Sequence, residues 1–206
     1  MDQPKIAIVD YEAGNLRSVQ KAIEACGYTA KITTDLDDIN SYDGIILPGQ
    51  GASDAAIRKL NELGLMKSIK NQINNGKPFL GICLGLQLLF DSSEEGDLPG
   101  LGLINGRIRK FSERSKVPHI GWNQVMFTKN HPFSQGILNK SNFYFAHSYF
   151  SETRGEKYQL ASTDYGIEFC SAIAIDNLVA VQFHPEKSGN LGLKLYKNFL
   201  NMIVHG

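Results

Sequence analysis

Cys83 lies between an apolar run and a leucine-rich stretch, and a glycine stands two residues away on each side. The run at residues 78–82 predicts a buried strand, and residues 84–90 have helical character. Small neighbours let the backbone turn sharply at such a junction and present the tip of the residue between strand and helix. The N-terminus of the helix that follows favours negative charge on the sulfur. The sequence therefore predicts a nucleophile elbow with a reactive cysteine at its tip.

The triplet His184-Pro185-Glu186 can supply the base that this nucleophile needs. It follows residues 178–183, which predict another buried strand. Residues two apart in an extended segment point to the same side, so His184 and Glu186 can face one site. A carboxylate on the far ring nitrogen fixes the tautomer and stabilises the imidazolium, and Pro185 biases His184 away from the helical region. We therefore predict a Cys-His-Glu triad. A buried core cysteine, the alternative for Cys83, explains neither the paired glycines nor the distant triplet.

Strands and helices alternate along the first 90 residues, which favours a parallel sheet with right-handed crossovers. After about residue 92, short alternating runs replace the helical periodicity, so we expect antiparallel strands there. Predicted strands cover residues 5–9, 30–33, 44–47, 78–82, 103–108, 124–127, 143–149, 159–162, 169–175 and 178–183; predicted helices cover 15–25, 51–63, 65–74 and a closing segment with Leu191, Leu195, Phe199 and Met202 on one face. The predicted fold class is α/β. Residues 1–206 form a single domain around a flavodoxin-like open sheet, largely parallel in the N-terminal half, with antiparallel strands in the C-terminal half and helices on both faces.

The charge balance and the cysteine count exclude several classes of protein. Lysine plus arginine total 21 and so do aspartate plus glutamate, so no net field attracts nucleic acid or an anionic membrane. No apolar stretch approaches a membrane span, and the first residues lack a signal-peptide pattern. Three widely spaced cysteines fit a cytoplasmic location, with Cys26 and Cys170 as packing residues. Since no metal-site spacing and no nucleotide-binding fingerprint occurs, we expect no metal and no cofactor.

Five segments spread over nearly the whole chain carry a recognisable pattern: residues 10–19, 48–51, 117–123, 146–149 and 182–188. In this order they resemble the triad (class I) glutamine amidotransferases, and among these the glutaminase subunits of imidazole glycerol phosphate synthase. The triad motifs identify the broad class, and the segment at residues 118–123 is the more specific signal. The chain departs from the pattern at Glu12 and Ala13, where glycine and often methionine are expected, and at Gln50, where valine is usual.

The resemblance implies that the chain hydrolyses L-glutamine to glutamate through a Cys83 thioester. It also implies that ammonia passes to a (β/α)₈-barrel cyclase subunit in a heterodimer that serves histidine biosynthesis. The catalytic residues implied are Cys83, His184 and Glu186; the oxyanion and substrate residues are Gln50, Gly51, Leu84, Gln87, Ser148 and Tyr149; the partner-interface residues are Asn15, His119, Trp122 and Asn123. The turn at residues 48–51 can be a plain turn, but we favour a backbone N–H donor to the oxyanion beside the Leu84 amide. His147 can belong to the core or to the substrate wall.

Three other functions stay open at this point. A paralogous subunit can supply ammonia to a different amidating synthase. A stand-alone cysteine hydrolase, such as a peptidase, can use the same triad on the same fold. An idle scaffold subunit would only bind the barrel, and the intact cysteine, histidine and glutamate argue against it.

Overall fold

A computed structural model describes residues 3–12, 14–112, 116–153 and 157–205, so Ala13 lies outside the described residues. The strands in these ranges are β1 (Ile6–Val9), β2 (Ala30–Thr33), β3 (Gly44–Gly49), β4 (Phe79–Cys83), β5 (Gly106–Lys110), β6 (His119–Phe127), β7 (Ser141–His147), β8 (Tyr149–Thr153), β9 (Gln159–Asp164), β10 (Glu168–Ile175) and β11 (Leu178–Val181). The helices are α1 (Leu16–Ala25), α2 (Leu36–Ser41), α3 (Ser53–Glu62), α4 (Leu65–Asn74), α5 (Leu84–Gln87) and α6 (Gly189–His205). None of these helices is both long and apolar enough to cross a membrane.

The strands form an open mixed sheet in the order β2-β1-β3-β4-β11-β10-β9-β6-β7. The five strands from β2 to β11 are parallel to one another, and from β10 onward neighbouring strands run antiparallel. Strands β5 and β8 pair with each other, and β8 is joined to β10. The predicted division into a parallel N-terminal half and an antiparallel C-terminal half is confirmed, with β11 joining the parallel part from the end of the chain.

Four of the five parallel strands are buried along their whole length, and β2 at the edge of the sheet is not. Every residue of β1, β3, β4 and β11 is buried. Helix α1 packs with α6, and α4 packs with α2 and α3. A strand covered on both sides reads as a continuous hydrophobic run rather than an alternating one, as these strands do.

The boundaries of several elements differ from their predictions. The strand predicted at residues 103–108 lies at Gly106–Lys110, and the one predicted at 124–127 already begins at His119. The run predicted as one strand at residues 143–149 is two strands, since β7 ends at His147 and β8 begins at Tyr149. The helical stretch after Cys83 is shorter than predicted, and the short helix α2 was not predicted.

The sheet gathers the sequence motifs at one edge. In parallel strands the carboxyl ends lie at the same edge of the sheet, which is where open α/β sheets bind ligands. Strand β3 ends at Gly49, β4 ends at Cys83, and β11 leads into His184. Strand β1 leads into the loop that carries Asn15. The motifs that are farthest apart in sequence therefore meet beyond one row of strand ends.

A close backbone approach at Gly85 holds this edge together. A Cβ atom on Gly85 would overlap the carbonyl oxygen of Leu47 in β3, and one on Gly81 would lie 2.8 Å from the carbonyl oxygen of Gly85. Both glycines are therefore required by packing between β3, β4 and the start of α5. The absence of two side chains lets the turn at Cys83 sit directly against the neighbouring strand.

We predict that Gly85→Ala destabilises the fold by about 3 kcal/mol, because backbone atoms cannot move aside as a side chain can. Urea unfolding followed by circular dichroism measures the effect. Gly27→Ala is the matched control: Gly27 has a φ of +87° but open space around its Cβ position, so it should lose only about 1 kcal/mol. Equal losses in the two variants would contradict the packing argument.

Candidate active site

Cys83 occupies a strained backbone conformation at the end of β4. Its φ is 55° and its ψ is −106°, a region that residues other than glycine rarely adopt. The residue is 6 % exposed, and helix α5 begins directly after it. Such strain persists only where the surroundings impose it, here through the contacts of Gly81 and Gly85. The result is the predicted elbow, with the sulfur held at the carboxyl edge of the sheet.

His184 lies within hydrogen-bonding reach of both other members of the predicted triad. Its Nδ1 atom lies 2.8 Å from Oε1 of Glu186, which leaves Nε2 for the hydrogen bond with Cys83. Burial lowers the pKa of His184, but the hydrogen bonds to Cys83 and Glu186, together with their negative charges, outweigh burial and raise the pKa above its ordinary value. The site therefore favours the protonated form of His184.

A turn, rather than an extended strand, brings His184 and Glu186 together. His184 itself is extended, with φ −105° and ψ 96°, but Pro185–Lys187 forms a 3-10 turn. The His184 backbone N–H donates to the Tyr144 carbonyl at 2.8 Å, and the Ser188 hydroxyl donates to the His184 carbonyl at 2.6 Å. The expectation of an extended segment was wrong in this detail, yet the two side chains still face one site.

Two residues that are distant in sequence contact the Glu186 carboxylate. The Asn15 side chain donates from Nδ2 to Oε1 of Glu186 at 2.6 Å, whereas the resemblance implied a partner-interface position for Asn15. Tyr196 on α6 is fully buried, and burial together with the negative charge of Glu186 raises the pKa of its hydroxyl. The hydroxyl therefore stays protonated beside the carboxylate. The Tyr196 hydroxyl has no hydrogen-bond partner among the described residues, so Asn15 is the group that can hold Glu186 in the orientation that His184 requires.

A cavity of about 330 Å³ opens at the Cys83 sulfur. Its walls include all of the residues predicted for the oxyanion and the substrate: Gln50, Gly51, Leu84, Gln87, Ser148 and Tyr149. This volume is within the range of small-molecule sites. Cavities of about 610, 670 and 720 Å³ lie near α6 and the 3-10 turn at Pro132–Ser134, and one of about 360 Å³ lies beside the start of β5. The predicted triad lines none of these four. No cluster of side chains placed to hold a metal ion occurs in the described ranges.

The loop after β3 brings backbone groups to this cavity. Leu84 is the first residue of α5, so its N–H has no acceptor within the helix. Gly51 has a φ of +90°, and Gln50 between it and Gly49 is exposed. The Tyr11 hydroxyl donates to the Pro48 carbonyl at 2.9 Å and supports the loop from below. Burial and the negative charge of Cys83 raise the pKa of Tyr11, which keeps this donor protonated.

Both described departures from the expected pattern involve the loop after β1. Glu12 has a φ of 66°, the conformation for which glycine is suited, and its carboxylate pairs with Lys59 at 2.6 Å. The Gln50 side chain lies over Gly14, where any Cβ atom would overlap it. Glu12 thus adopts a conformation that suits glycine and gains an ion pair with Lys59. The Gln50 side chain occupies the space that Gly14 leaves open.

Gln87 and Gln182 form a buried amide pair beside the nucleophile. Gln87 donates from Nε2 to the Tyr149 carbonyl at 3.2 Å and to Oε1 of Gln182 at 3.1 Å. Gln182 donates from Nε2 to the Cys83 sulfur at 3.6 Å. Both hydrogens of the Gln87 amide are thus used internally, so its oxygen is the group that remains for a ligand. The Gln182 amide supports negative charge on the sulfur.

Strand β6 borders the cavity and presents an exposed face. Ile120 lines the cavity and is 62 % exposed, while Trp122 on the same face is 58 % exposed. Asn123 is half-buried and donates to the Asp164 carbonyl at 2.9 Å. His119 is 3 % exposed and stacks between Phe145 and Tyr165, which differs from the expectation of a partner-interface position. Of these residues, Trp122 and Ile120 offer most surface to another protein.

Comparison with known proteins identifies the family. The sequence profile described as "Glutamine amidotransferase class-I" matches residues 7–203. The chain belongs to this family. Class-I glutamine amidotransferases are enzymes. The cavity at Cys83 therefore lies in a member of an enzyme family.

Two relatives and a solved structure agree with this assignment. The chain is 48 % identical over 199 residues to "Imidazole glycerol phosphate synthase subunit HisH" of Caldanaerobacter subterraneus, covering 96 % of this chain and 98 % of the relative. It is 49 % identical to the protein of the same name from Sulfurimonas denitrificans, covering 94 % and 96 %. The crystal structure of a glutamine amidotransferase from Thermotoga maritima has the same fold, with a TM-score of 0.73 at 14 % identity over 100 % of both chains.

Several residues at the site were not predicted from the sequence. Gln182, Tyr11 and Tyr196 each place a polar atom beside a triad residue or the oxyanion loop. Gln182 carried a usable signal, since it is a polar residue at the end of an apolar strand. The two tyrosines carried no such signal, because a tyrosine ring in the sequence is equally consistent with a residue of the hydrophobic core.

We predict that Asn15→Gly lowers the turnover number for glutamine by roughly tenfold to a hundredfold, because hydrogen bonds to charged groups contribute about 1.5–3 kcal/mol. Glycine suits the Asn15 φ of 72°, and the Asn15 side chain makes no cap to α1, so only the amide is lost. Glu12→Gly in the same loop is the control and should keep wild-type turnover. Wild-type turnover in Asn15→Gly would show that Glu186 needs no support from Asn15.

Proposed function

We propose that the chain is the glutaminase subunit of an imidazole glycerol phosphate synthase. It hydrolyses L-glutamine and passes ammonia to a (β/α)₈-barrel cyclase subunit in histidine biosynthesis. The observation that carries the proposal is the line of hydrogen bonds from Glu186 through His184 to Cys83, which itself lines the 330 Å³ cavity. Relatives named as HisH subunits, 42–49 % identical over nearly the whole chain, support the choice of synthase.

The reaction is acyl transfer in two steps. The Cys83 thiolate attacks the side-chain carboxamide carbon of glutamine and forms a tetrahedral oxyanion. The His184 imidazolium donates its proton to the leaving nitrogen, so ammonia departs and a glutamyl thioester remains. Neutral His184 then takes a proton from water, which attacks the thioester carbonyl and releases glutamate with the Cys83 thiol. Glu186 orients the imidazole and stabilises its charge in both steps.

The oxyanion is stabilised by backbone donors at the cavity wall. The Leu84 N–H and an N–H of the Pro48–Gly51 loop are the proposed pair, since both border the cavity beside Cys83. Losing one such donor costs about a hundredfold or more in rate. A loop rotation around Gln50, allowed by the glycine on each side, can therefore control the activity of the free subunit.

The exposed face of β6 is the proposed docking surface for the barrel subunit. Trp122 and Ile120 are large apolar side chains in solvent, and Ile120 also forms the rim of the cavity. Tryptophan is enriched among residues that dominate binding energy. A partner seated here would cover the cavity mouth and receive ammonia directly. The alternative of a subunit for a different amidating synthase differs only in the identity of this partner.

The function is tested with Cys83→Ala in the presence of the barrel subunit. We expect glutamate release to fall by roughly four orders of magnitude or more, as for loss of a covalent nucleophile in other enzymes. Co-purification with the barrel subunit should be retained. Cys26→Ala is the control, because Cys26 lies at the end of α1 away from the cavity and should keep full activity.

Two results would overturn the assignment. Appreciable glutamine turnover by Cys83→Ala would remove the thioester mechanism. Peptide cleavage without any ammonia release would favour the stand-alone hydrolase. Ammonia-dependent amidation of a different acceptor, with a different co-purifying synthase, would instead replace the pathway and keep the chemistry.

We predict that Trp122→Ala weakens binding of the barrel subunit, with a dissociation constant that rises about tenfold or more, the effect of losing an aromatic hot spot. Isothermal titration calorimetry measures it. Leu138→Ala is the control, because Leu138 is 80 % exposed but does not line the cavity at Cys83; it lies near the end of β6 at Phe127 and the Pro132–Ser134 turn. Similar losses in the two variants would argue against docking on β6.

A further inference from the structure

A continuous chain of buried hydrogen bonds joins strand β6 to the nucleophile. His119 Nδ1 lies 2.9 Å from His147 Nε2, and His147 Nδ1 lies 2.7 Å from the Tyr149 carbonyl oxygen. The Tyr149 carbonyl also accepts from Gln87, which bonds to Gln182, which donates to the Cys83 sulfur. The buried hydrogen-bond chain thus consists of Asn123, His119, His147, the Tyr149 carbonyl, Gln87, Gln182 and Cys83.

The Asn123 amide and the Tyr149 carbonyl stand at the two ends of the part of the chain that contains the histidines, and they fix the direction of the hydrogen bonds between them. The Asn123 Oδ1 accepts from the Gln124 N–H, so its Nδ2 is the donor toward Nε2 of His119 at 3.3 Å. His119 must then carry its hydrogen on Nδ1 and donate to Nε2 of His147. At the other end the Tyr149 carbonyl can only accept, so His147 carries its hydrogen on Nδ1. Only one arrangement of hydrogens satisfies all of these atoms.

The arrangement requires both histidines to be neutral. A second hydrogen on His147 would sit on Nε2 and face the Nδ1–H of His119, and a second hydrogen on His119 would sit on Nε2 and face the Asn123 amide donor. Burial lowers the pKa of His119 to about 4. Burial also lowers the pKa of His147, to about 3, and outweighs the hydrogen bond to the Tyr149 carbonyl, which raises it. The pair is therefore neutral at physiological pH, unlike His184, and cannot act as a second imidazolium.

The surroundings of the pair are aromatic and rigid. His119 and His147 face each other across the β6–β7 register. The His119 ring stacks at 4.8 Å on Phe145 and at 3.9 Å on Tyr165, measured between ring centroids. Burying polar side chains in such a place costs free energy, and an apolar pair of the same volume would avoid that cost. The presence of two histidines therefore points to a role for their hydrogen bonds.

We propose that His119 and His147 are positioning residues for the reaction at Cys83. They hold the Tyr149 carbonyl, and through it the Gln87–Gln182 pair, in the orientation that supports the thiolate. Tyr149 and Gln87 also line the cavity, so the same contacts fix part of its wall. Because the chain begins beside the exposed face of β6, a protein docked on Trp122 acts on the far end of a continuous polar connection to the sulfur.

The first test is His119→Phe, which keeps the aromatic stack and removes both hydrogen bonds of the ring. We expect the turnover number for glutamine in the complex with the barrel subunit to fall roughly tenfold, with KM within about twofold. His147→Phe should have a similar effect. His147→Asn should recover most of the activity, because the asparagine Nδ2 can replace the histidine Nδ1 as donor to Tyr149. Wild-type turnover in His119→Phe, or no recovery in His147→Asn relative to His147→Phe, would overturn the proposal.

A packing control separates positioning from simple loss of stability. Phe169 contacts the same rings, with centroids 6.3 Å from His119 and 5.4 Å from His147, but it makes no hydrogen bond in the chain. Phe169→Leu should lower the melting temperature and leave the turnover number within about twofold of wild type. If Phe169→Leu loses as much turnover as His119→Phe, the histidines act only as core residues and the proposal fails.

The turnover readout rests on the proposed function, so a second readout is independent of it. Alkylation of Cys83 by iodoacetamide in the free chain needs neither glutamine nor a partner. We expect the alkylation rate to fall several-fold in His119→Phe and His147→Phe and to stay at the wild-type value in Phe169→Leu. An unchanged rate in both histidine variants would sink the inference. A wild-type complex that releases no glutamate would instead sink the proposed function, while the alkylation rates would still decide the inference.

Discussion

The strained turn at Cys83 is the constraint on which the site depends. A φ of 55° with a ψ of −106° is costly for any residue with a side chain, and it persists because two glycines let β3, β4 and α5 press together around it. That one conformation sets the direction of the sulfur. His184, the Gln182 amide and the cavity can act on the sulfur only because it points toward them. The local backbone strain thus lowers stability and fixes the position of a single reactive atom.

His184 and Gln182 contact the sulfur, a pair of buried histidines lies behind Gln182, and each of the three has a different electrostatic role. His184 carries the positive charge, raised in pKa by its two anionic neighbours. Gln182 provides a neutral donor, and the buried histidines behind it are held neutral by burial. His184 is therefore charged, whereas His119 and His147 are neutral, and their hydrogen-bond partners account for the difference. His184 faces a carboxylate and the sulfur, whereas His119 and His147 face each other and a carbonyl.

The sequence predicted the site best where a residue type has few structural roles that could explain its position. Paired glycines around Cys83, and a histidine two residues before a glutamate, predicted side chains that the fold does bring into contact. The alternation of strands and helices predicted the parallel sheet. The break at Ser148 was invisible, since no glycine or proline marks it. His119 was misplaced because an alternating strand does not reveal that its neighbour across the sheet is another histidine. Asn15 and Tyr196 meet Glu186 only through packing of α1 and α6, which no local pattern reports.

Ile120 belongs at once to the wall of the reaction chamber and to the outer surface. Ammonia is a nucleophile only as the free base, and bulk water at neutral pH converts most of it to ammonium. In the proposed complex, this hydrocarbon rim would let ammonia cross from one protein to the other without meeting solvent. The two reactions would then be coupled without a carrier molecule.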